Sequence, residues 1–355
     1  MKILITGVCG FVGSALAQFL LERMEGVQVS GIDNLMRPGA EINRGRLQDL
    51  GVKFQHGDLR VASDVAALDR ADWVIDAAAN PSAVAGLSGG ASARQLFEHN
   101  LSALGNVLEY CTQHGAGLVL LSSSRVYSIP ALAAIPLQVR DRAFTLDLNA
   151  KLGPGLSPCG IGSNFPTSAP VSLYGATKLA SEIMALEYGS AFGFPVWITR
   201  CGVLAGAGQF GTAEQGIFAY WINAHLRRRK LRYIGFQGTG HQARDVFHPR
   251  DLAALLAAQM DTPRMDGRRI YTAGGGTDNA MSLARLTAWC DDKFGPNVPK
   301  VESQLRPYDI PWIAMDSREA ASDFDWRPEI RLPEILDEIA LHAEANPAWL
   351  DVSQA

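Results

Sequence analysis

The chain has 355 residues, 47% of them hydrophobic, enough for a large core arranged as two domains or one elaborated one. Its 32 basic and 36 acidic residues leave a net charge of −4, which gives no general affinity for nucleic acid, and no apolar run approaches a membrane span. A strand starting at Lys2 leaves no room for a secretory signal, so the expected address is cytoplasmic, with no nucleic-acid or membrane partner.

Lys2–Thr6 is a short apolar run that reads as a buried strand, and from Phe11 to Met24 apolar residues recur at helical spacing. Between them stand Gly7, Gly10 and Gly13. In a strand, turn and helix of this order, the first glycine permits the tight turn and the second lets the backbone approach a pyrophosphate at the helix N-terminus. The third lets helix and strand pack closely. Gly7, Gly10, Phe11, Val12 and Gly13 are therefore candidate dinucleotide-binding residues. The second strand, Val27–Ile32, runs into Asp33 and Asn34, about twenty residues past the last glycine, where a ribose-binding carboxylate is expected. Asp33 would repel a 2′-phosphate and so favours NAD over NADP, although Arg37 stands nearby.

Strand-like and helix-like segments then alternate: 52–56, 62–70, 73–76, 92–114, 117–121, 174–192 and 196–200. This rhythm predicts an α/β fold, a doubly wound parallel Rossmann sheet with a smaller mixed α/β C-terminal substrate domain. Residues 1–200 would form the dinucleotide-binding domain and 201–355 mainly the substrate domain, with about 243–260 returning to the first. Ligands of such sheets sit at the carboxyl ends of the strands, where Asp58, the Ala77-Ala78-Ala79 segment and Ser122–Ser124 fall. Residues 127–173 break the pattern with repeated prolines and read as an ordered flap over the site.

Tyr174 and Lys178 stand four apart on a predicted helix, so both can lean toward one bound molecule. A phenol titrates near ~10 in water, and a neighbouring cation makes it a usable base at neutral pH. Further on, Arg227-Arg228-Arg229-Lys230 closes a helical stretch and complements its dipole. The five cysteines, Cys9, Cys111, Cys159, Cys201 and Cys290, lie far apart without metal-ligand spacing and are expected to be reduced and buried. His99 and His248 read as structural, and no metal is expected.

The succession resembles the extended short-chain dehydrogenases/reductases, in their nucleotide-sugar epimerase and dehydratase branch, over nearly the full chain. It includes Asp33-Asn34-Leu35, Gly57-Asp58-Leu59, Asn100 opening a helix, Ser122-Ser123-Ser124-Arg125-Val126-Tyr127, Gln242-Ala243-Arg244-Asp245 and Leu305-Arg306-Pro307-Tyr308-Asp309. The resemblance implies NAD as cofactor and Ser123, Tyr174 and Lys178 as catalytic residues. It adds Asp58, Leu59, Ala77, Ala78 and Asn100 to the cofactor contacts, and places Ser124, Arg125, Gln209, Arg244, Arg306 and Asp309 toward a CDP- or UDP-linked sugar. It also implies a homodimer built on the 92–114 and 174–192 helices.

Sugar dehydratases of this branch carry an Asp-Glu pair directly after the catalytic Ser or Thr. Here Ser124 and Arg125 fill those positions, which points to redox-neutral epimerisation through a transient keto-sugar. Within the branch, Asp33-Asn34-Leu35 with Arg37 and Gly39, a basic Arg125, the long insert, Gln209-Phe210 with Gln215-Gly216, and Val203 after Arg200 resemble the CDP-paratose 2-epimerase (tyvelose epimerase) subgroup. Inversion at C2 is the first reading. A UDP-sugar 4-epimerase, a dehydratase and an NAD-sensing regulatory protein stay open. Ser128, Asp76 and the glycine-bearing stretch 82–93 depart from the branch's usual pattern.

Overall fold

The computed structural model describes residues 1–82, 92–302 and 308–355. Seven parallel strands form the main sheet: β1 (Lys2–Thr6), β2 (Gln28–Asp33), β3 (Lys53–His56), β4 (Trp73–Asp76), β5 (Gly117–Ser123), β6 (Val196–Cys201) and β7 (Ile270–Ala273). Their spatial order is β7-β6-β5-β4-β1-β2-β3, which reverses beside β1 and opens a crevice there. Helices cover both faces, so the inner strands read as continuous apolar runs rather than alternating ones. In β5, Val119 and Leu121 face a core shared with Leu16, Leu20, Leu252 and Leu256, while Leu118 and Leu120 face Leu104, Val107 and Ala185. The first core is closed by the helices Phe11–Arg23 and Pro249–Asp261, the second by Ala103–His114 and Ser172–Phe192.

In the C-terminal part, Ala243–Phe247 pairs in parallel with Val203–Leu204 and Trp312–Ile313 and antiparallel with Ala280–Ser282. Beside this sheet the helices Ile217–Leu226, Leu283–Phe294 and Leu332–Ala345 bury Trp221, Ile222, Leu286, Ile335 and Ile339. The main sheet does not end near residue 200, because β7 is drawn from the C-terminal part and pairs with β6 from Ile198 to Cys201. Pro249–Asp261 packs on the Rossmann side, whereas Ala243–Phe247 lies in the second sheet.

The insert 127–173 is ordered, with hairpins pairing Leu137–Arg140 with Ala143–Leu146 and Leu156–Ser157 with Gly160–Ile161. It does not serve as the expected cover: among the described residues, none that lines the main cavity falls within 127–173. Its apolar side chains, Leu132, Ile135, Leu146, Ile161 and Phe165, are instead buried with Trp312, Ile313 and Met315. Ile161 donates to Ala314 O at 2.8 Å and accepts from Asp316 N at 2.9 Å.

Three smaller expectations need correction or refinement. Cys159 is exposed, while the other four cysteines are buried, and all five are free. The helix predicted over 92–114 contains a π-helical turn at Glu98–Ser102. Arg227 and Arg228 spend their guanidiniums mainly on the ends of neighbouring helices, Arg227 on Ala343 O, Asn346 O and Pro347 O besides Asn223 O of its own helix, and Arg228 on Phe294 O, Gly295 O and Pro296 O. No described helix is long and apolar enough to cross a membrane.

Candidate active site

A cavity of about 540 Å³ lies at the carboxyl ends of the main-sheet strands and continues under the C-terminal sheet. That size suits a buried organic ligand. Its floor is the turn after β1. Gly7 has φ +64°, and an added Cβ would stand 2.8 Å from Ala78 Cα, so both the turn and the neighbouring β4 end require glycine there. At Gly13 a Cβ would stand 2.2 Å from Gly7 O, so only glycine lets the first helix sit this close to the turn. Gly7, Gly10, Phe11, Val12 and Gly13 all line the cavity, with the helix N-terminus facing it.

Asp33 follows on the wall. Its carboxylate accepts from Leu35 N at 2.8 Å and Cys9 N at 3.0 Å. Burial raises its pKa, and these N–H groups draw it back. Asp58 is held well below the usual carboxylate range, chiefly by hydrogen bonds from Arg60, with Asn34 Nδ2 donating to Oδ2 at 3.1 Å. Asn34, Asp58, Leu59, Ala77 and Ala78 line the same wall. A glycine cradle at a helix N-terminus beside an oriented carboxylate fits a dinucleotide: the turn and helix would hold a pyrophosphate, and Asp33 a ribose.

Toward β5 and β6, Ser123, Ser124, Arg125 and Tyr174 line the cavity. Lys178 does not. It is buried one helical turn from Tyr174, where its charge acts on Asp76 and Cys201. Burial raises the Asp76 carboxyl, and Lys178 and a 2.6 Å hydrogen bond from Thr6 Oγ1 oppose that. Asn100 is also buried away from the wall. Its Oδ1 accepts from Asn80 N at 2.7 Å, and its Nδ2 donates to Asn80 O at 3.0 Å and Thr177 Oγ1 at 3.1 Å. Asn100 thus braces the segment after β4 against the Tyr174 helix.

The opposite wall carries Gln209, Arg244 and Asp309. Arg244 Nη2 donates to Ile310 O at 2.7 Å and Arg125 Nη1 to Tyr308 O at 3.2 Å, so both arginines reach the segment that bears Asp309. Arg306 lies outside the described residues, as does most of the glycine-bearing stretch 82–93. The sequence reading names Arg37, Phe210, Gln215 and Tyr308 without assigning them to the site, takes His99 as structural and does not name Arg60, yet all six line the cavity. Arg37 and Gln215 belong to motifs the sequence displays, whereas His99 carried no signal, because a π-turn sets its direction. Among the described residues no cluster of three or more His, Cys, Asp or Glu could hold a metal.

Residues 3–274 match the family model described as NAD dependent epimerase/dehydratase family. The chain is 26% identical to CDP-paratose 2-epimerase of Salmonella typhi over 337 residues, covering 93% of this chain and 95% of that protein. It is 27% identical to UDP-glucose 4-epimerase of Halalkalibacterium halodurans, covering 93% and 91%. A variant of UDP-glucuronic acid 4-epimerase from Bacillus cereus, solved in complex with UDP-4-deoxy-4-fluoro-glucuronic acid and NAD, superposes with a TM-score of 0.77 at 22% identity. That match spans 97% of this chain and 99% of the other, and it shows a common fold.

Proposed function

The chain belongs to the NAD-dependent epimerase/dehydratase family, and from that premise we propose that it inverts one hydroxyl-bearing carbon of a nucleotide-diphosphate sugar through a transient keto-sugar. The observation that carries this is the wall formed by Ser123, Ser124, Arg125 and Tyr174. It offers a hydroxyl and a phenol for a sugar alcohol, and no carboxylate at the two positions after Ser123.

NAD, which the Gly7–Gly13 turn and Asp33 would hold, would supply a reversible acceptor and donor of hydride for the sugar carbon. Tyr174, as phenolate, accepts the proton of the sugar hydroxyl while Ser123 Oγ holds that oxygen. Lys178, buried one helical turn from Tyr174, places its amino group on the same helix as the phenol. Once the ketone has turned, Tyr174 returns the proton, so the net change is stereochemical. Arg125 and Arg244 suit the diphosphate, because a guanidinium offers paired donors to phosphate oxygens.

Inversion at C2 of a CDP-linked dideoxy sugar is the reading favoured by the Asp33–Gly39 and Gln209–Gly216 patterns and by the Salmonella typhi relative. The test is proton NMR of the purified protein with CDP-, UDP- and dTDP-linked sugars in deuterated water. The expected result is loss of one ring-proton coupling pattern and growth of its epimer's, with no solvent deuterium at the inverted carbon. Inversion at C4 would replace C2 as the site. Elimination of water with solvent deuterium entering the sugar, or full activity in Tyr174→Phe, would overturn the proposal.

A further inference from the structure

The segment Gln209–Gly216 links the C-terminal sheet to the helix Ile217–Leu226 and passes over the cavity toward the loop after β2. Its base is anchored. Trp349 Nε1 donates to Gln209 O at 2.9 Å, and the Phe210 and Trp349 rings stack with centroids 5.3 Å apart. Its tip is a closed turn, in which Thr212 N donates to Gln215 O at 2.6 Å and Gln215 N to Thr212 O at 3.2 Å.

Arg37 reaches it from the coenzyme side, four residues beyond Asp33. Nη1 donates to Gln215 Oε1 at 2.9 Å and Nη2 to Phe210 O. These partners lie 178 and 173 residues away in sequence, so the contact joins the two halves of the cleft. Arg37 is partly buried, and among the described residues no carboxylate pairs with it. Its acceptors are neutral. A cation held this way beside the Asp33 wall also attracts the pyrophosphate of a dinucleotide, so the bound ligand and the contact favour each other.

We propose that Arg37 is a latch that holds the Gln209–Gly216 strap across the coenzyme, so that coenzyme leaves only when the latch opens. The strap is fixed at its base and released at its tip, and the enzyme keeps its coenzyme through successive turnovers. This rests on the coenzyme of the family and not on the sugar proposed above.

The experiment follows release of NAD from the holoenzyme of Arg37→Ala and Arg37→Lys after a chase with excess etheno-NAD, read as gain of bound fluorescence. Loss of two hydrogen bonds from a charged donor should speed release about tenfold or more in Arg37→Ala. Arg37→Lys, whose point charge cannot span both acceptors, should fall between that variant and the wild type. If Arg37→Ala does not fold, Gln215→Ala removes one contact, keeps the guanidinium, and should speed release about threefold. Release within twofold of wild type in a folded Arg37→Ala, or in Gln215→Ala where the former does not fold, overturns the latch. Because the readout contains no sugar, that failure would leave the epimerase reading untouched, and absence of sugar turnover would leave the latch untouched.

Discussion

Arg200 of β6 and Glu182 of the Tyr174 helix form a doubly hydrogen-bonded ion pair, Nε to Oε1 at 2.9 Å and Nη2 to Oε2 at 2.7 Å, with both side chains almost fully buried. Ser122 Oγ donates to the same carboxylate, Arg200 Nη1 donates to Ser163 O at 2.7 Å, and the guanidinium lies 5.3 Å from the centre of the Tyr127 ring. The pair therefore ties β5, β6, the Tyr174 helix and the insert together directly behind Ser123.

Glu182→Gln leaves the Arg200 charge buried without its counter-charge, and should cost about 3–5 kcal/mol of unfolding free energy in a guanidinium titration. Replacing both residues by methionine should cost much less, because no charge then remains to be compensated. Equal losses in the two variants would show that packing, not charge, is what the pair supplies.

Gly175 sets how closely the Tyr174 helix approaches the turn that carries Ser123, Tyr174 and Ser123 being the two side chains proposed to react. A Cβ there would stand 2.2 Å from Arg125 O, the carbonyl just beyond Ser123 and Ser124. A backbone atom cannot yield as a flexible side chain does, so Gly175→Ala should push the Ser123 turn off the Tyr174 helix. Misplacement of about 1 Å can cost on the order of 10²-fold in rate. The expected outcome is a kcat reduced by roughly that factor, with NAD binding kept within about threefold, measured by turnover and by coenzyme titration.

How far the sequence reveals this site depends on whether a residue's role is local. Gly7, Gly13, Asp33 and Tyr174 sit in short motifs whose spacing alone implies the geometry. The strand rhythm places Ser123 at a ligand-facing strand end, but its catalytic role, like any role for Arg244, could be named only through resemblance. Arg37, Tyr308 and Phe210 meet there by tertiary contact between segments far apart in the chain, and no local pattern encodes that. The β7 edge was missed for a similar reason: Ile270–Ala273 is a four-residue apolar run that fits either sheet, and only pairing with β6 decides. The insert was misjudged because proline content signals irregular backbone but not which surface that backbone covers.

Tyr174→Phe should lower kcat by 10²- to 10⁴-fold, the usual contribution of a positioned acid–base group, while the variant still binds NAD. Coenzyme content and single-turnover reduction of bound NAD are the measurements. Hydride transfer at the wild-type rate in the variant would remove Tyr174 from the chemistry.

Asp245 is fully buried, and burial pushes its carboxyl up to about 6, against backbone N–H groups led by that of Met315, which donates to Oδ2 at 3.1 Å. The folded value lies above the ordinary 3.8, so the stability it contributes is complete below about pH 4 and is lost as pH rises through 6. The difference spans about 3 kcal/mol at most. Asp245→Asn cannot ionise, so its stability relative to wild type should climb between pH 4 and pH 7 and level off above. A flat difference across that range in urea titrations would show that Asp245 does not ionise there.

The backbone bonds that Ile161 makes to Ala314 and Asp316, together with the bond from Arg200 of β6 to Ser163 O, make the insert a rivet between the C-terminal part and the main sheet, outside the cavity itself. Walls pinned in this way cannot swing like a clamshell around a guest. The gap then acts as a fixed gauge, admitting guests by whether they fit a width already set, and leaves the strap's tip, held by Arg37, as the part of the doorway that can give.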